Sequence, residues 1–127
     1  MKNLLFFSLL CLFGLSYGQK VVGTCSVGNG GVILGCTKVN GSNMFTCTYN
    51  ASTKVYTIKA PSITTLTTQT HTVIVTPSTA VNMQFDRIPS FNLRTLPSGT
   101  EIDIRIFDVS NNDLCDNYFT FTLVSYQ

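Results

Sequence analysis

The chain has 127 residues and a near-balanced charge, with eight Lys and Arg against six Asp and Glu; 44% of it is hydrophobic and only 11% charged. A phosphate-binding face needs clustered cations, so this balance argues against nucleic acid as a partner and offers no polybasic patch to an anionic membrane. The length suits one small domain rather than two.

Met1 to Gly18 reads as a signal peptide. Lys2 supplies the positive start, Leu4 to Leu15 is an apolar run too short to cross a bilayer, and Ser16-Tyr17-Gly18 places small residues at a cleavage site. The expected mature chain is residues 19–127, a single domain of net charge +1 with four cysteines, because Lys2 and Cys11 leave with the leader. No apolar tail follows Val124, so the expectation is a secreted, extracellular protein with no membrane span in its mature chain.

The mature sequence is rich in Thr and alternates rather than following a helical period, which favours pleated strands. Lys20 to Val27 predicts a first strand ending at Gly28-Asn29-Gly30-Gly31, and Val32 to Val39 a second. Asn40-Gly41 is a two-residue hairpin signal. Met44 to Tyr49 and Lys54 to Ala60 follow, separated by Asn50-Ala51-Ser52-Thr53. Pro61 to Thr70 reads as a Thr-rich connection, Thr72 to Thr76 and Ala80 to Phe85 as short strands, and Asp86 to Leu96 as a crossover interrupted by Pro89.

Leu96 to Val124 carries the clearest pattern. Ile102, Ile104 and Ile106 share one face, with Glu101, Asp103 and Arg105 on the other; Phe119, Phe121 and Leu123 repeat the alternation. These runs are expected to pair as an antiparallel hairpin with one oily face. Turn chemistry every 8 to 12 residues then predicts an all-β fold, an immunoglobulin-like antiparallel β-sandwich of about 7–8 strands.

Cys25, Cys36 and Cys47 recur every 11 residues, which fits a three-strand meander with all three sulfurs on one rung. Four cysteines in a secreted domain allow three pairings. We favour Cys36 with Cys47 and Cys25 with Cys115, the second closing a long loop. The spacing lacks a CxxC, so zinc is not expected.

Few residues invite catalysis. The one histidine, His71, stands at a strand edge between Thr70 and Thr72, where a surface role is expected, and Glu101 with Asp103 lies on a face read as solvated. No catalysis and no cofactor are expected. Asp108, Ser110, Asn112 and Asp116 offer oxygens to calcium, but Gly is missing at the sixth loop position and Phe119 replaces the twelfth-position Glu. Turn capping accounts for the same residues. Asn40-Gly41-Ser42 and Asn50-Ala51-Ser52 are glycosylation acceptor sequences in predicted turns. There is no Trp to serve as a sugar platform; Tyr49, Tyr56, Tyr118 and Tyr126 remain, with Phe107 out of phase on a polar face.

The order Val81 to Asp86, Ile88-Pro89, Leu96-Pro97-Ser98-Gly99, Ile102 to Asp108 and Phe119 to Leu123 resembles the carboxy-terminal half of the immunoglobulin-like domain of fungal Ser/Thr-rich secreted cell-wall proteins associated with β-1,6-glucan assembly. Nothing from Gln19 to Ala60 matches the Pro-rich and "T-W" strands of that family. The resemblance implies a secreted, wall- or matrix-associated domain without catalytic residues. The expected role is an extracellular interaction with a glycan. The alternatives are a protein-binding or adhesion module without glycan affinity, and a small hydrolase or hydrolase inhibitor.

Overall fold

The computed structural model describes residues 18–60, 71–77, 87–97 and 99–126. Residues 1–17 of the expected leader, the Thr-rich connection and the strand expected at Ala80 to Phe85 lie outside the described residues. Within them are eleven strands: β1 (Gln19–Val27), β2 (Ile33–Cys36), β3 (Lys38–Val39), β4 (Ser42–Asn43), β5 (Thr46–Asn50), β6 (Val55–Ala60), β7 (His71–Pro77), β8 (Arg87–Leu96), β9 (Gly99–Asp108), β10 (Asp113–Leu114) and β11 (Phe119–Tyr126). A single 3-10 turn, Asn29–Gly31, separates β1 from β2.

All pairings are antiparallel. One sheet runs β2-β1-β11-β7, and the other places β9 between β8 on one side and β6, followed by β5, on the other; β10 continues the β6 side of β9. The Thr and Phe alternation of β11 aims Phe119, Phe121 and Leu123 inward, where they meet Tyr56, Ile58, Ile102, Ile104 and Ile106 from the second sheet. Aromatic edges lock the layers: Phe45 meets Phe121 and Tyr56 meets Phe119, each with ring centroids 4.8 Å apart.

The expected hairpin of β9 with β11 is not formed. β9 pairs with β6 and β8, while β11 pairs with β1 and β7. Their oily rows cover one another across the core instead of lying side by side. Alternation specifies which face is buried, and it leaves the neighbour along the sheet open.

The true hairpin partner of β9 is β8, in the segment expected as a crossover. Leu96 lies opposite Gly99, so the two strands are paired up to the point where the chain reverses. Pro89 is tolerated because, among the described residues, β8 is hydrogen-bonded along one edge only. The expected second strand is also shorter: it breaks after Cys36, and Lys38–Val39 pairs with Ser42–Asn43 about Asn40-Gly41. Both turn residues have positive φ, 52° and 82°, as the hairpin signal requires.

The cysteine rung is half present. Cys25 lies opposite Cys36, but Cys47 belongs to the other sheet, opposite Ile58. Of the charged row of β9, Arg105 is exposed, but Glu101 and Asp103 are not freely solvated. Asp103 is 9% exposed and takes hydrogen bonds from Thr57 at 2.8 Å and Arg94 at 2.9 Å. Glu101 is held by Lys59 at 2.8 Å and Arg94 at 3.0 Å.

Candidate functional site

The outer face of the first sheet follows directly from register. Ser26, Thr120 and Thr76 form one rung, and Thr24, Thr122 and Ile74 the next. None of these side chains is charged, in contrast with the outer face of the second sheet and its Lys59, Arg94, Glu101 and Asp103 ladder. The Ser26 and Thr120 hydroxyls lie 3.3 Å apart, close enough to pair.

This face ends in an open groove of about 230 Å³ lined by Ser26, Val27, Leu34, Tyr118, Phe119 and Thr120. Its rim is apolar and accessible: Leu34 is 61% exposed and Tyr118 44%. Gly28 lies beneath them. A Cβ there would stand 3.2 Å from the Tyr118 ring and 3.4 Å from Leu34, so glycine permits the rim residues to settle inward.

The segment carrying Tyr118 is anchored from below. Asp116 accepts the Gly30 N–H with both carboxylate oxygens at 3.0 Å, and the Tyr56 hydroxyl donates to the same carboxylate. The Asn117 N–H donates to the Tyr56 oxygen at 2.8 Å. Tyr56 is fully buried, and desolvation, with Asp116 beside it, pushes its phenol well above the ordinary value. It therefore remains a neutral post fixing the approach to Tyr118.

The other tyrosines have different places. Tyr49 packs on Tyr56 with centroids 4.6 Å apart, which makes both part of the core edge rather than a platform. Tyr126 is 39% exposed at the opposite end of β11 from the groove. Phe107 sits opposite both Ile88 and Leu114, so it is covered by strand neighbours. Of the groove residues, only Tyr118 was a sequence candidate. Ser26, Leu34 and Thr120 meet there through a three-strand register that single-strand patterns do not encode.

The candidate calcium ligands do not converge. Asp108 accepts from the Ser110 N–H and hydroxyl, from Asn111, and from Arg87, whereas Asp116 faces Gly30 and Tyr56. Among the described residues no group of three or more His, Cys, Asp or Glu could hold a metal ion. Asn40 and Asn50 are both exposed; Asn50 Oδ1 accepts the N–H groups of Ser52 and Thr53, leaving its side chain at a turn surface. His71 opens β7 opposite Ser125, apart from Glu101 and Asp103 on the other sheet.

Among the described residues the four cysteines, Cys25, Cys36, Cys47 and Cys115, are free thiols. Cys25, Cys36 and Cys47 approach one another at the core, while Cys115 lies elsewhere, its N–H bonded to Ile106 O at 2.8 Å and its sulfur 2.6 Å from Arg87. The chain matches no family model, no curated protein and no solved structure. Fold and groove define by themselves an all-β protein, two antiparallel sheets thick, with one uncharged hydroxyl-rich face ending beside an exposed aromatic ring. Among the described residues no helix is long and apolar enough to cross a membrane.

Proposed function

We propose that this is a secreted extracellular interaction domain of immunoglobulin-like architecture that binds a glycan at the Tyr118 groove. The observation that carries the reading is the juxtaposition of an exposed Tyr118 ring with the Ser26 and Thr120 hydroxyls. An aromatic face packs against the C–H surface of a sugar ring, and nearby hydroxyls exchange hydrogen bonds with sugar hydroxyls. The lining carries no cation, which fits a neutral polysaccharide better than an acidic one. The leader at residues 1–18 supports export, the exposed Asn40 and Asn50 suit attached glycans, and the wall-family resemblance points the same way.

The test is retention of the purified chain on insoluble neutral polysaccharides, compared with Tyr118→Ala. The expected outcome is retention that weakens about tenfold in the variant, equivalent to about 1.4 kcal/mol. Clean flow-through of the unaltered chain across a panel of wall glycans would instead favour a protein-binding module using the same apolar rim.

A further inference from the structure

Cys25, Cys36 and Cys47 lie close together, and three thiols can form one disulfide among themselves. Cys25 and Cys36 are direct cross-strand partners on β1 and β2, with side chains on the core face. The neighbouring rung identifies their kind of site: the Thr37 N–H donates to Thr24 O at 2.9 Å and the Thr24 N–H to Thr37 Oγ1 at 3.0 Å, so Thr24 and Thr37 occupy the position of a hydrogen-bonded pair. Cys25 and Cys36 are then the non-hydrogen-bonded pair, where Cα atoms approach to about 4.5 Å. That lies inside the range of roughly 4.4–6.8 Å that a disulfide spans.

The other two sulfurs are too far apart to bridge to each other. Cys47 lies opposite Ile58, which lies opposite Ile102, whereas Cys115 is tied to Ile106. Four residues along β9 separate those anchors by about 13 Å, beyond the roughly 7 Å limit for bridging.

In place of the Cys36–Cys47 and Cys25–Cys115 pairing expected from the sequence, we propose that Cys25 and Cys36 form a disulfide across β1 and β2, leaving Cys47 and Cys115 as thiols. The oxidant is a small-molecule or protein disulfide. Cys36, the less buried of the two, attacks it as the thiolate and expels one thiol. Cys25 then attacks the Cys36 sulfur and expels the second. Two S–H bonds are lost, one S–S bond forms in the chain, and the donor disulfide takes the two electrons and two protons. Burial raises the Cys25 thiol far above its ordinary value, so this step is fastest before the sheets close. The Cys47 thiol is pushed up to about 12 by burial, which keeps it mostly protonated and slows its exchange with the finished bond. The bond would secure β2, the edge strand that carries Leu34 to the groove rim.

The experiment is refolding of the full chain in a glutathione redox buffer, alkylation without reduction, and tryptic mapping. Val21 to Lys38 is one tryptic peptide holding both cysteines. It is expected two hydrogens light and unalkylated, with Cys47 and Cys115 alkylated in theirs. Alkylation of Cys25 or Cys36, or linkage of that peptide to any other, overturns the proposal. Cys47→Ala provides the second arm: the Cys25–Cys36 bond is expected to persist in it, and its loss would count equally against the assignment. Neither readout depends on glycan binding.

Discussion

Asp108 shows how one residue type serves two readings. Its sequence neighbours resemble a calcium loop, yet the folded carboxylate is consumed locally by Ser110 and Asn111 and by Arg87 at 3.1 Å. Calcium loops and Asx turns draw on the same short oxygen-bearing side chains, so the sequence could not separate them. The hydrogen bond from Ser110, then those from Asn111 and the charge of Arg87, hold the Asp108 carboxyl below its ordinary range. A lowered folded value gives stability that is complete above the unfolded carboxylate pKa of about 3.9 and is lost as pH falls through the folded one. Asp108→Asn should therefore lower the thermal midpoint at pH 6 and narrow its gap to the unaltered protein below pH 4. A gap that stays constant from pH 6 to pH 2.5 would remove Asp108 from the acid limb.

At the scale of elements, β9 was legible and β8 was not. The Ile102, Ile104 and Ile106 alternation names both the strand and its buried face. Arg87–Leu96 hides its strand behind Pro89 and an exposed Phe91, because an edge strand tolerates proline and buries its inward row incompletely. β8 also supplies the partner of the charged face beside it. Arg94 reaches across to Glu101 at 3.0 Å and to Asp103 at 2.8 Å, so one cation serves two partly buried carboxylates. Arg94→Met should destabilise the fold by about 1–2 kcal/mol, between the values for exposed and fully buried pairs. Lys59→Met, which touches Glu101 only from a more exposed side chain, should cost under about 1 kcal/mol. Urea midpoints at unchanged m-value measure both. Equal losses would mean that the ladder is ordinary surface charge.

At the scale of the molecule, alternation and turns made the all-β class and the layering readable, but strand partners were not. Cys25, Phe121 and Val75 share a rung although 96 positions of sequence separate the first two. No local signal specifies such a pairing; it is set by which rows best fill the space between the sheets. The groove inherits this difficulty, since Ser26 and Thr120 meet only through the β1–β11 register. That register also makes β11 the central dependency of the fold. It is the strand joining β1 to β7, and it supplies Phe119, Phe121 and Leu123 to the core. A chain ending at Tyr118 leaves β1 and β7 without their shared neighbour and exposes the inner face of the second sheet. It should show no cooperative thermal transition by circular dichroism. The full chain, dominated by such distant pairings, should refold in milliseconds to seconds rather than microseconds. A truncated chain that still unfolds cooperatively would show that the second sheet, with β1 and β2, closes a core without β11.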